Sequence, residues 1–278
     1  MKDLIIGCST NYDWSKLKYW INSINQSGFD GEKVLILMNC DKETVIKVHD
    51  AGFKIIGFDQ DEKGNLKYNS PIPVHVDRFI HIFNFIRGYG PFRYVITTDV
   101  KYVIFQKDQI EYIEKIIEDK NLIFSSESMF YKDEPWGNND LLETFGQAIY
   151  NHYVTNEIFN VGVLAGKGEA MKHLAINIFD SATKRPISIC DQSTFNFMIS
   201  MHPYLDTSLY TRSEDGWACQ LGTTKDPSKI NQFKQYLLEP EPTIDGEIIT
   251  TSKGTPYHIV HQYDRVPEWR KIIEAKYG

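Results

Sequence analysis

The chain has 278 residues, 42% of them hydrophobic, which is enough for one large α/β domain or two small ones. Its net charge is -7, with acidic and basic residues interspersed. This pattern argues against a nucleic-acid partner and a polybasic membrane surface. The four cysteines lie far apart, and no apolar run is long enough for a signal peptide or a transmembrane segment. We therefore expect free thiols in a soluble, cytoplasmic protein.

Short runs rich in Ile and Val alternate with helical segments in the first half, as is typical of strands joined by crossover helices. The predicted strands are residues 4–8, 33–38, 53–57, 93–98, 103–105 and 122–125. The predicted helices are residues 14–24, 42–50, 75–86 and 109–118. The strand 93–98 is apolar on both faces, so we expect it to be central and covered on both sides.

The second half is less regular. Strands are predicted at residues 158–165 and 258–261, and helices at 169–182, at 192–201 and from Pro267 onward. Weak strand signals occur at Trp217 and Ile248 within a polar, turn-rich segment, residues 206–254. The chain has no linker, internal repeat or low-complexity tract, so we expect one mixed α/β domain.

Asp99 directly follows the apolar strand 93–98. In a doubly wound sheet, ligands bind beyond the carboxyl ends of the strands. A carboxylate there can anchor a divalent cation that holds a diphosphate. The position fits equally well an aspartate that caps the following turn.

Four short motifs carry a family resemblance. The stretch from Arg93 to Gln106 resembles the strand that bears the Asp-x-Asp motif in GT-A glycosyltransferases, especially bacterial and viral members that read roughly TDVRDVVFQ. FNVGVLAG from Phe159, CDQSTFN from Cys190 and IVHQYDR from Ile259 follow in the order seen in glycogenin-like transferases. The resemblance implies a single GT-A, Rossmann-like domain over residues 1–278 with a mixed, mostly parallel central sheet. Residues 1–106 would form the nucleotide-binding half and residues 107–278 the acceptor-binding half.

The resemblance implies a glycosyltransferase, of the hexosyl or a related type. It would move a sugar from a nucleotide-diphosphate donor, UDP-sugar before GDP-sugar, to a hydroxyl of a glycan or glycoprotein. A nucleotidyltransferase or metal-dependent hydrolase on a similar sheet is a weaker alternative. The chain lacks the glycine-rich loops of dinucleotide and P-loop enzymes and the Gly-x-Ser-x-Gly elbow of common hydrolases.

One residue departs from the family pattern. Tyr102 stands where the related pattern has a second carboxylate, and Lys101 lies two residues after Asp99. Asp99 could hold the metal with water and a histidine, or Lys101 could offset the diphosphate charge in place of a metal. Alternatively, the protein could be a catalytically weak or inactive nucleotide-sugar-binding or glycan-binding protein.

The resemblance implies Mn (or Mg) as cofactor, with Asp99 and His261 as metal ligands. His258 and His261 are three residues apart, so in a regular strand only one of them faces the metal. The residues expected on the donor side are Ser9, Thr10, Tyr12, Arg78, Thr98, Lys101, Lys253 and Arg265. Alternative roles are helix capping for Ser9 and Thr10 and an ion pair with Asp77 or a nearby carboxylate for Arg78.

Asn160, Asp191 and Gln192 resemble the acceptor-side catalytic residues of the family. If the enzyme inverts configuration, Asp191 is the expected base on the acceptor hydroxyl; a retaining enzyme requires no such base. Its alternative role is the N-cap of the following helix. Trp136 and Trp217, each beside a glycine in a predicted loop, are candidates for an acceptor platform.

Overall fold

The protein is described from a computed structural model that covers residues 1–278. Strands account for much of the buried core, and most contain Ile, Val, Leu or Phe. The strands are β1 (Lys2–Thr10), β2 (Glu32–Met38), β3 (Lys54–Ile56), β4 (Asp59–Gln60), β5 (Leu66–Lys67), β6 (Phe92–Thr98), β7 (Val103–Phe105), β8 (Leu122–Phe130), β9 (Glu157–Lys167), β10 (Ser208–Thr211), β11 (Ala218–Gln220), β12 (Thr243–Asp245), β13 (Ile248–Thr250) and β14 (Ile259–His261).

Helices connect most of the strands and pack on the sheet. They are α1 (Trp14–Gln26), α2 (Lys42–Asp50), α3 (Val74–Tyr89), α4 (Gln109–Ile116), α5 (Pro135–Tyr153), α6 (Gly168–Ala182), α7 (Asp191–Ile199), α8 (Tyr204–Thr207), α9 (Leu221–Thr224), α10 (Ile230–Phe233) and α11 (Pro267–Tyr277). No helix has the length and apolar character needed to cross a membrane. The four cysteines are free.

The main sheet has seven strands in the order β10-β8-β9-β6-β1-β2-β3. Its pairings are parallel except for those of β9, which runs antiparallel to both β6 and β8. The prediction of a mixed, mostly parallel sheet is therefore confirmed. A second sheet, β11-β14-β7, places β14 beside the strand that follows Asp99.

Strand β6 is the middle strand of the seven, as its apolar sequence predicted. Ile96 belongs to the buried cluster on one side of the sheet, and Val95 belongs to the cluster on the other. Apolar contacts on both faces fix the strand and therefore the position of Asp99 at its carboxyl end.

Two elements differ clearly from the sequence prediction. Helix α5 was not predicted, because Pro135, three asparagines and two glycines give its sequence a poor helix propensity. Its start is stabilised by the Glu134 side chain, which accepts a hydrogen bond from the Gly137 N–H, and Gly146 interrupts it at φ 74°. Strand β8 runs five residues beyond the predicted end at Ser125, through a polar but buried segment.

Trp20 of α1 is fully buried, and its Nε1 donates a hydrogen bond of 2.9 Å to the Thr98 hydroxyl at the end of β6. We expect Trp20→Phe and Thr98→Val each to lower the free energy of unfolding by about 1 to 3 kcal/mol, because each leaves a buried polar partner unsatisfied. Urea denaturation measures this. The double variant should cost less than the sum of the two single changes, and strict additivity would contradict the prediction.

Candidate active site

Asp99 lies at the carboxyl end of β6, where its backbone N–H donates a 2.8 Å hydrogen bond to the Gly162 carbonyl on β9. Its side chain is 35% exposed. One carboxylate oxygen, Oδ1, accepts a hydrogen bond from Arg78 Nη1. The other, Oδ2, lies 3.4 Å from His261 Nε2. Asp99 thus joins an arginine from α3 to a histidine from β14.

Gly162 allows these side chains to approach β9 closely. A Cβ atom at this position would lie 2.8 Å from His261 Cε1 and 2.9 Å from Asp99 Oδ2. Any larger residue would therefore push Asp99 and His261 out of place. The close packing explains why the FNVG motif has a glycine at this position.

Arg78 bridges two carboxylates. Its Nη2 donates to Asp191 Oδ2 at 3.1 Å, while Nη1 donates to Asp99. Asp77, the alternative partner considered from the sequence, instead accepts a 2.6 Å hydrogen bond from the Tyr68 hydroxyl and lies 3.6 Å from His81. The guanidinium therefore brings the first residue of α7 to the end of β6.

Burial and charge act in opposite directions on these carboxylates. Burial alone would raise the pKa of Asp99, but the Arg78 charge and the contact with His261 outweigh it and hold the pKa well below its usual range. For Asp191, burial raises the pKa, and the charges of Arg78 and His75 offset only part of that increase. Asp99 is therefore the carboxylate that is held firmly ionised.

Asp191 is not the N-cap of α7. It is the first residue of the helix, Cys190 occupies the N-cap position, and no side chain caps the helix there. The Asp191 carboxylate is directed to Arg78 instead. The capping alternative for Ser9 and Thr10 is also wrong, because both lie within β1 and Asp13 is the N-cap residue of α1.

His261 is buried and held in one orientation by Gln220. The Gln220 Nε2 donates to Ser125 Oγ at 3.2 Å, which turns its Oε1 toward His261 Nδ1 at 2.7 Å. Nδ1 therefore donates to Gln220, and Nε2 faces Asp99 Oδ2. His258 points elsewhere, because its Nδ1 donates to the Asp108 carbonyl.

The donor set at Asp99 and His261 suits a divalent cation. An imidazole nitrogen faces a carboxylate oxygen, and the other ring nitrogen donates to an amide oxygen, as is usual for a metal-bound histidine. No group of three or more His, Cys, Asp or Glu residues that could hold a metal is formed. Further ligands would have to come from substrate oxygens or water.

Glu127 on the polar end of β8 is a candidate that the sequence did not reveal. Its Oε1 accepts hydrogen bonds from Asn160 Nδ2 at 2.8 Å and from Gln192 Nε2 at 3.0 Å. Its second oxygen has no partner in the protein. Burial raises the pKa of Glu127, and the two amide hydrogen bonds and His261 lower it only in part. Nothing in its local sequence marks it, because its hydrogen-bond partners lie on β9 and α7.

Two cavities meet at the Asp99–His261 pair. The Tyr12 cavity, of about 480 Å³, is lined by Ser9, Thr10, Tyr12, Lys101 and Arg265. The Glu127 cavity, of about 400 Å³, is lined by Glu127, Trp136, Asn160, Asp191 and Gln192. Six residues line both cavities: His75, Arg78, Asp99, His261, Gln262 and Arg265.

Most of the predicted site residues thus line one of the two cavities, but some do not. Thr98 is buried, and its hydroxyl accepts the hydrogen bond from Trp20. Lys253 is 79% exposed and lies 3.8 Å from Glu214. Trp217 is fully buried, whereas Trp136 lies in the first turn of α5 rather than in a loop and is 56% exposed. The contributions expected of Thr98, Lys253 and Trp217 are therefore not supported by their positions.

The fold is similar to that of a solved enzyme. Superposition on the glycosyltransferase GlyE of Streptococcus pneumoniae TIGR4 gives a TM-score of 0.57 at 14% sequence identity. The similarity covers 100% of this chain but 62% of the GlyE chain. This chain therefore shares its fold with that glycosyltransferase. No protein-family model matches the sequence, and no curated protein does either.

We expect Arg78→Met to lower the free energy of unfolding by about 3 kcal/mol, the lower end for a broken buried ion pair, because Asp99 keeps contact with water. Arg93→Met is the control, since Arg93 pairs with Asp3 at the surface and should cost at most about 1 kcal/mol. The Arg78→Met deficit should shrink as the pH falls and the two carboxylates become neutral. Urea titrations at several pH values test this, and a pH-independent deficit would argue against it.

Glu127→Gln should change how stability depends on pH. The folded state raises the pKa of Glu127 above its ordinary value of 4.5, so the folded protein binds this proton more tightly than the unfolded chain. Wild-type stability should therefore decline, relative to Glu127→Gln, as the pH rises above 4.5. Unfolding curves between pH 4 and pH 8, roughly the range in which proteins are most stable, measure the difference. Parallel curves would show that the carboxyl is not perturbed.

Proposed function

We propose that the protein is a glycosyltransferase that moves a sugar from a nucleotide-diphosphosugar to a hydroxyl of a glycan or glycoprotein, with UDP-sugar as the preferred donor class over GDP-sugar. The observation that carries the proposal is the meeting of two cavities at Asp99 and His261, within a glycosyltransferase fold. A group transfer needs two substrates that touch at one point, and this geometry provides that point.

The Tyr12 cavity fits the nucleotide. The Tyr12 ring offers a face for a base, and the buried Ser9 hydroxyl has no hydrogen-bond partner in the protein and is available to a ribose. Lys101 and Arg265 provide positive charge for the diphosphate. Ser9 and Tyr12 at the carboxyl end of β1 and Lys101 beyond the carboxyl end of β6 lie where a nucleotide usually binds in such a sheet.

Asp99 Oδ2 and His261 Nε2 would hold Mn (or Mg), whose chemistry there is to neutralise charge on the diphosphate leaving group. Gln220 keeps the imidazole in the tautomer that this role needs. Arg78 keeps the carboxylate of Asp99 ionised and directed to the junction. These residues are therefore arranged before any substrate arrives.

The Glu127 cavity fits the transferred sugar and the acceptor. Asn160 and Gln192 share Oε1 of Glu127, and its free Oε2 can accept a proton or hydrogen bond from a sugar hydroxyl. Asp191 is bound to Arg78, so it positions the arginine. If the enzyme inverts configuration, Asp191 is also the base expected from the sequence. Trp136 and Ile189 are exposed at this cavity and offer apolar faces to an acceptor ring.

A second function has one observation in its favour. Tyr102 and Lys101 leave Asp99 as the only carboxylate of the motif, which suits a protein that binds nucleotide-sugars without turning them over. Such a protein would bind donor in the Tyr12 cavity but would release no nucleoside diphosphate with any acceptor. The experiment below separates the two functions.

We expect the protein with MnCl2 to hydrolyse at least one member of a panel of UDP- and GDP-sugars, with water taking the sugar and UDP or GDP released. Asp99→Asn should lower that rate about a hundredfold or more, the loss typical of removing one preorganised electrostatic group. Asp245→Asn, a change at an exposed aspartate, is the control and should leave the rate unchanged. Nucleoside diphosphate release is measured by coupled assay, and thermal melts confirm that both variants fold.

The outcomes are distinct. Donor binding in a thermal-shift screen without release of nucleotide would favour the non-catalytic function. Neither binding nor release across the panel would contradict both functions. Release that persists unchanged in Asp99→Asn would exclude Asp99 from the site.

A further inference from the structure

Lys101 has an unusual environment for a lysine. It lies in the turn between β6 and β7, and its Nζ is 4.5 Å from the ring centroid of Tyr102 and 5.7 Å from that of Tyr12. No carboxylate oxygen lies within 4.0 Å of it. The aromatic rings stabilise the ammonium by cation–π contact while leaving its hydrogen-bond donors unused.

The turn that carries Lys101 is held in one conformation. Tyr102 has φ 62°, a left-handed conformation that is uncommon for a non-glycine residue. Its ring packs edge-on against Tyr263 at 5.6 Å, and the Arg270 guanidinium lies 5.4 Å from the ring centroid. These contacts fix the backbone next to Lys101, which lines the Tyr12 cavity together with Asp99.

The other charges around the cavity are largely matched. Arg78 is shared between Asp99 and Asp191, and Arg265 lies 3.8 Å from Asp264. Lys101 is therefore the cation of this cavity that has no carboxylate partner. An anion that enters the cavity would be the first group to pair with it.

The protein provides few ligands for a divalent cation at Asp99 and His261. Protein atoms provide two ligands, Asp99 Oδ2 and His261 Nε2, and the other oxygen of Asp99 is already bound to Arg78. Two ligands and one shared carboxylate are few for Mn or Mg, which take much of their coordination from substrate phosphates in such sites. Binding of the metal would therefore require the diphosphate more than binding of the diphosphate would require the metal.

We propose that Lys101 is the main anchor of a nucleoside diphosphate, and that the diphosphate binds in the Tyr12 cavity before the divalent cation and without needing it. This rests on the proposed function, because it takes the Tyr12 cavity as the donor site. It assigns to Lys101 a binding order that the family resemblance does not imply.

Calorimetric titration tests the order directly. UDP and GDP are titrated into the wild-type protein in EDTA and again in MnCl2, and MnCl2 is titrated alone. At least one nucleotide should bind in EDTA, MnCl2 should tighten it by less than about tenfold, and MnCl2 alone should show no saturable binding. Lys101→Met should weaken binding in EDTA about ten- to hundredfold, as expected for a lost hydrogen bond to a charged group. Lys101→Arg should retain most of the affinity.

Lys16→Met is the matched control. Lys16 also lies over the Tyr12 ring, at 5.8 Å, but it is exposed and does not line the cavity, so its loss should leave affinity unchanged. Thermal melts establish that each variant folds. Nucleotide that binds only with MnCl2, tight binding of MnCl2 alone, or equal effects of Lys101→Met and Lys16→Met would each overturn the proposal. The first of these would leave the proposed function intact, whereas no binding under any condition would overturn both.

Discussion

The ion-pair bridge of Arg78 is the interaction on which the site depends. The guanidinium is 10% exposed and contacts Asp99, which is 21 residues away in sequence, and Asp191, which is 113 residues away. A buried guanidinium is tolerated only when its charge is matched, and here two carboxylates match it. The bridge therefore ties α3, the end of β6 and the start of α7 into one unit.

This bridge also determines what the carboxylate of Asp99 can do. With Oδ1 held by Arg78, only Oδ2 is available at the junction of the two cavities, opposite His261 Nε2. The absence of a side chain at Gly162 permits the short separations, and Gln220 sets the imidazole tautomer. The arrangement is preorganised by contacts between protein groups, so substrate binding does not have to create it.

The ends of the strands could be predicted from the sequence, whereas the residues that line the candidate site could be predicted only in part. Asp99 follows an apolar strand whose Val and Ile residues mark it as central, and His261 ends a short apolar strand, so both positions follow from local pattern. Glu127 could not be found this way, because Ser-Ser-Glu-Ser reads as a loop. Glu127 is buried in β8 where two distant groups, Asn160 and Gln192, donate hydrogen bonds to its carboxylate. The buried hydrogen bond of Thr98 could not be predicted either, because its partner Trp20 lies 78 residues away.

Tyr102 shows why a departure from a motif can have a physical explanation of its own. A tyrosine in a left-handed conformation costs about 1 kcal/mol relative to an ordinary turn residue. Its packing against Tyr263 and Arg270 offsets that cost and leaves its neighbour Lys101 directed to the cavity. Where the related pattern has a carboxylate, which attracts a cation, this chain has a turn that presents a cation. The turn can therefore bind an anionic ligand directly through its positive charge. A missing carboxylate need not mean a lost binding site.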